Sequence, residues 1–143
     1  MTIKIRLMTP RDFAAVSRLW RATPGMGLHA VEDSRAGILS FLRRNPRMSF
    51  VACDGARVVG AILAGHDGRR GSLHHLAVAT THRQFGLGRA LVDRCLAALA
   101  REKIQKCNIF VYRDNAGGQS FWRHIGWKQR ADLTLLQKPT KPV

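Results

Sequence analysis

"LAVATTHRQFGLGRALVDRCLAALA", residues 76–100, passes from an apolar run through two close glycines into a helical pattern. The run "LHHLAV" (73–78) reads as a strand and "RALVDRCLAALA" (89–100) as a helix, with Gly86 and Gly88 at the junction. Glycine lets backbone approach a ligand closely. The N–H groups at a helix start are natural anion donors. The stretch therefore predicts an anion held where strand turns into helix. A dinucleotide fingerprint would need a third glycine where Leu91 stands. A phosphate loop of the Gly-Lys-Ser/Thr kind is absent from the chain.

Upstream, "IKIRLM" (3–8) alternates as a strand does. Thr9, Pro10 and Asp12 form a helix start, followed by Phe13, Val16, Leu19 and Trp20 on one helical face. "TPGMG" (23–27) breaks that helix, and a second begins near Asp33 and ends by Asn45-Pro46. "SFVAC" and "RVVGAILAGH" flank Asp54-Gly55, a hairpin signal. "DGRRG" (67–71) turns the chain into "SLHHLAVA" (72–79).

Downstream, "CNIFVY" (107–112) is a strand. Asn115 caps a short helix carrying Phe121, Trp122 and Ile125, stopped by Gly126. "WKQRADLTLLQK" (127–138) reads as two short strands. The order is β-α-α-β-β-β-α-β-α-β-β, a mixed α/β (α+β) class in one domain over residues 1–143. Disorder is expected only in the closing "KPTKPV".

Apolar residues make up 45% of the 143, enough for a core. No apolar run reaches the ~20 residues of a membrane helix, and the N-terminus has no signal-peptide pattern. A cytoplasmic location is expected. Cys53, Cys95 and Cys107 form no C-x-x-C pair and read as reduced thiols, Cys95 as core filling. No metal site is expected. The net charge of +15 is the outlier; it attracts polyanions, either nucleic acid or a phosphate-bearing cofactor. The basic residues are scattered, with no block or arm.

Arg83-x-x-Gly86-x-Gly88 resembles the pyrophosphate loop of the GNAT superfamily, the acetyl-CoA-dependent N-acetyltransferases, whose pattern is Arg/Gln-x-x-Gly-x-Gly/Ala. The preceding "LAV", and Asn115 followed by "SFWRHIGW", also resemble family patterns, and the element order is similar. Small bacterial types such as the ribosomal-protein alanine acetyltransferases are the nearest likeness. The resemblance implies a mostly antiparallel mixed sheet of about seven strands flanked by four helices. It implies acetyl-CoA as co-substrate. Its pyrophosphate would be cradled by Arg83, Gln84, Phe85, Gly86, Leu87, Gly88 and Arg89. The pantetheine arm would lie along Leu76, Ala77 and Val78, where the family splays this strand from its neighbour near "FVY". Asn115 would either bond that arm or cap its helix.

Acetyl transfer to an amine first needs the amine's proton removed, since a lysine titrates near ~10.4 and an α-amine near ~8. His74 lies four residues before Val78, an even spacing that puts both on one strand face, ~13 Å apart. His74 is the candidate general base, with a structural, hydrogen-bonded histidine as the equal alternative; His75 is expected on the opposite face under a helix. Many relatives carry a tyrosine acid where this chain has Trp122, which cannot give a proton and is assigned to the acetyl pocket. "TPGMGLHAVED" and "QRADLTLL" are expected to build the acceptor site, with Glu32, Asp33 and Asp132 available to a cationic amine.

These residues predict an N-acetyltransferase acting on a protein N-terminus, a lysine or a small amine by direct attack in a ternary complex. The alternatives are a non-catalytic acyl-CoA-binding module, or a basic ribosome- or RNA-associated protein. The expected partners are acetyl-CoA and an amine acceptor, with a protein or ribosome partner compatible and no membrane. Monomer and homodimer both stay open.

Overall fold

Five strands form one sheet in the order β1-β2-β3-β4-β5 in this computed structural model, which describes residues 2–141. They are β1 (Ile3–Leu7), β2 (Phe50–Asp54), β3 (Arg57–His66), β4 (Gly71–Val78) and β5 (Cys107–Ile109). The first four pair antiparallel and β5 joins β4 in parallel. The helices are α1 (Phe13–Arg21), α2 (Arg35–Arg44), α3 (Leu87–Arg101) and α4 (Ala116–His124), with 3-10 turns at Pro10–Asp12 and Thr80–His82. The chain forms two compact units, one running to Phe110 and one from Val111. Pro142 and Val143, the end of the expected disordered tail, lie outside the described residues.

In the first unit, Val16, Trp20 and Ile38 from α1 and α2 pack with Val51, Ala61, Leu63 and Ala77 of the strands. The alternation of each strand supplies that face, and the other takes α3, whose Leu91, Val92, Cys95 and Leu99 are buried. Burial drives the Cys95 thiol pKa well up and holds that of Cys107 at about 11, so both stay protonated near neutrality.

The entry to α1 is tied down by charge. Arg6 donates two 2.8 Å hydrogen bonds to Asp12, and the Thr9 N–H donates a third of 2.8 Å. Burial alone would raise the Asp12 carboxyl pKa; the Arg6 and Thr9 hydrogen bonds and the Arg6 charge outweigh it and lower the pKa. A carboxylate lowered on folding stabilises above its unfolded value of ~3.9, and that contribution is lost as pH falls through the folded value. Asp12→Asn is therefore expected to unfold more readily at pH 7 and to lose stability less steeply below pH ~4. Urea titrations at both pH values check this.

In the second unit, Asn115 caps α4 by accepting the Gly118 N–H at 2.9 Å. The Trp122 ring lies edge-on to Phe121 at 5.2 Å and to Trp127 at 5.0 Å.

Two expectations about the sheet are corrected. It has five strands rather than about seven, because 127–138 forms no strand among the described residues. There Arg130 grips Asp132 with two 2.9 Å bonds, and the Leu133 N–H turns back to the Arg130 carbonyl. That local turn competes with extension. The strand expected over 107–112 stops at Ile109.

Candidate active site

Buried His82 anchors the turn after β4, reaching Asp54 Oδ2 at 2.9 Å and the Thr81 hydroxyl at 2.7 Å. Arg83 Nε then donates to the Val78 carbonyl at 3.0 Å, leaving the rest of its fork exposed. Gln84 (φ +68°) and Gly86 (φ +77°) are left-handed, and Gly86 caps α3 without any side-chain hydrogen bond. A Cβ on Gly86 would meet nothing within 4 Å, so the space before the helix is open. Ala90 N closes the first turn on the Gly86 carbonyl. The N–H groups ahead of it thus form a donor row at the positive end of α3. Arg83, Gln84, Phe85 and Arg89 are exposed and Gly88 half-buried, while buried Leu87 anchors the loop. Beside it, an open depression of about 440 Å³ has Arg18, Arg57 and Arg83 on its walls and no carboxylate.

β5 pairs with β4 only from Gly71 to Leu73. From His74 to Val78, Leu76 and Ala77 included, no strand of the described residues covers that edge. The carbonyls of His75 and Val78 are taken by the Trp20 indole and Arg83 Nε, which leaves the other peptide groups of that edge to an extended ligand arm.

The spacing argument for His74 fails on a β-bulge. Ala61 pairs with Ala77 and Leu63 with His74, so Ile62 alone faces both His75 and Leu76. His75 absorbs the extra residue at φ +54°. Past the bulge the alternation is reversed. His74 pairs beside Leu63 on the face of α1 and α2, as Ala77 pairs beside Ala61, and Val78 takes the other face. The bulge also brings His75 to α1 and to Asp33. The His74 ring meets Phe41 edge-on at 5.7 Å. Burial, then the neighbouring His75, lowers the His74 pKa, against the raising effect of Asp33 and Glu32.

His75 Nε2 lies 2.7 Å from Asp33 Oδ1, and its ring stands edge-on to Trp20 at 5.1 Å. The Trp20 indole N–H donates to the His75 carbonyl at 2.7 Å. Asp33 Oδ2 accepts the His29 N–H at 2.7 Å. Spacing could not find this pair, though three successive apolar residues after "HH" break the alternation and signal a slip.

Two of the three carboxylates expected to greet an amine, Asp33 and Asp132, are already partnered. Asp33 holds His75, Glu32 lies 3.6 Å from His29 Nδ1, and Asp132 is held by Arg130, its pKa lowered to about 2. No group of three His, Cys, Asp or Glu among the described residues could hold a metal. No helix among them is long and apolar enough to cross a membrane.

A family model described as "Acetyltransferase (GNAT) family" matches residues 13–127. An acetyltransferase of Yersinia pestis is 32% identical over 133 residues, 93% of each chain. The fold is similar to that of the PaiA N-acetyltransferase of Thermoplasma acidophilum, solved with coenzyme A: TM-score 0.78, 19% identity, 90% of this chain and 91% of that one. It is also similar to a ribosomal-protein-alanine N-acetyltransferase of Brucella melitensis: TM-score 0.72, 16% identity, 96% and 100% of the two chains.

Proposed function

The chain belongs to the GNAT acetyltransferase family, and we propose that it carries acetyl from acetyl-CoA to a protein N-terminus, a lysine or a small amine, within one domain over 1–143. The observation that carries the reading is the uncapped donor row from Gln84 to Arg89, at the end of a strand whose edge is open. Such a row suits a pyrophosphate, because its donors are fixed before the anion arrives. Phe85 is 62% exposed and offers a ring beside the row. The peptide groups along Leu76, Ala77 and Val78, apart from the Val78 carbonyl that Arg83 holds, suit the amides of a pantetheine arm. The roles of Asn115, through its free amide N–H, and of Trp122, as an acetyl-pocket wall, rest on the family pattern alone.

Acetyl-CoA, when bound, supplies an activated thioester whose thiol, with a pKa near ~8.5, leaves unaided by a strong acid. The protein must orient the amine and take its proton. The histidines of the β4 bulge are the groups for that work: burial, then the neighbouring His75, lowers the pKa of half-buried His74, which favours the neutral imidazole that accepts a proton.

The acceptor class is tested by thiol release at fixed acetyl-CoA across a panel of amines. Peptides starting with alanine come first, since the Brucella protein of like fold is named for that residue, then lysine peptides and small amines. Release with one class assigns the acceptor. Acetyl-CoA binding with no release from any class would overturn the transfer reading in favour of a binding module.

A further inference from the structure

We propose that His75, oriented by Asp33, takes the proton from the acceptor amine; this rests on the acetyl-transfer reading above. Ionised Asp33 can only accept hydrogen bonds, so at 2.7 Å the proton between the two residues sits on His75 Nε2. The lone pair is then on Nδ1. Nδ1 makes no hydrogen bond among the described residues, and none of their buried side-chain N or O atoms lacks a partner. Nδ1 therefore reaches solvent, and the side chain as a whole is only 16% exposed.

The arrangement is held from three sides. Asp33, 12% exposed, is fixed by the His29 N–H. The Trp20 indole holds the His75 carbonyl and its ring packs on the imidazole. The backbone keeps His75 at φ +54°, a left-handed conformation that is strained for a non-glycine residue and persists where its surroundings enforce it.

Asp33 comes from the segment between α1 and α2, where the acceptor is expected, and His75 from the open edge of β4. The pair joins the two halves of the site. The titratable groups around the two rings are Asp33, Glu32 and His29 from that segment and the adjoining His74. In the step, an ammonium gives its proton to Nδ1, which leaves the amine its lone pair for attack. Asp33 stabilises the imidazolium, which then returns the proton to water. His74 shapes the pocket wall beside Phe41.

Long-range proton–nitrogen NMR of histidine-labelled protein reads the tautomer without any acceptor. His75 should carry its proton on Nε2, and Asp33→Asn should remove that preference. Kinetics follow with the amine of the panel that releases thiol. His75→Gln should lower kcat/KM by roughly 100-fold or more and abolish the acid limb of its pH profile, with the acetyl-CoA Kd unchanged. Asp33→Asn should lower kcat/KM as well, since the imidazolium loses its counter-charge. His74→Ala should keep the limb. An acid limb that survives in His75→Gln, or an Nδ1–H tautomer in the wild type, overturns the assignment. A wild type inactive on every amine sinks the transfer reading, and this assignment with it.

Discussion

Gly86→Glu should abolish acetyl-CoA binding in a calorimetric titration in which the wild-type protein binds at about micromolar Kd. Two effects add. Gly86 sits at φ +77°, where a side chain is strained by ~1–2 kcal/mol. The carboxylate would also enter the donor row, where a pyrophosphate needs positive potential. Gly86→Ala separates them: its Cβ meets nothing within 4 Å, so alanine carries the conformational cost without the charge. We expect Gly86→Ala to weaken binding by roughly 10-fold and Gly86→Glu by roughly 100-fold or more, about 1.4 against 2.7 kcal/mol. Gly88→Glu, with the same charge one step into α3, should behave like the first. Unchanged binding in both glutamate variants would remove the loop as cofactor cradle and turn attention to the arginine-walled depression beside it.

The largest expected loss of stability comes from one added methyl. Gly37 lies in the first turn of α2, under the chain that enters it. A Cβ there would press on the Glu32 carbonyl oxygen and lie 2.5 Å from that of Val31. Both are backbone atoms, so no rotamer change relieves the contact. The Gly37 N–H also takes the Ser34 hydroxyl cap at 3.1 Å, which fixes the helix end from the same side. Gly37→Ala should cost ~1–3 kcal/mol in denaturant titration. The displaced segment contains Asp33, so the His75 tautomer preference should be lost with it. A variant as stable as the wild type, with the preference intact, would show that residues 31–33 yield freely.

Much of the first unit is legible in the chain because its signals are local. Alternation marks β1, apolar runs mark β2 to β4, and Asp54-Gly55 marks the hairpin. Sequence reasoning missed one local turn and one strand register. "LTLL" alternates well enough for a strand, yet the Arg130–Asp132 grip folds the chain first. His74 and Val78 have even spacing, yet one extra residue between them reverses the parity.

The sequence by itself determined the donor loop and the order of elements around it. Two glycines after an apolar run and before a helix act within a few residues, and no distant contact is needed for their backbone freedom or for the helix dipole. Only the tertiary structure decided which histidine meets a carboxylate. The bulge exists because β3 offers one residue where β4 brings two. Asp33 reaches His75 across 42 positions because α1 and α2 pack on that face of the sheet. Register and packing are properties of neighbouring strands and helices, and no window of the chain contains them.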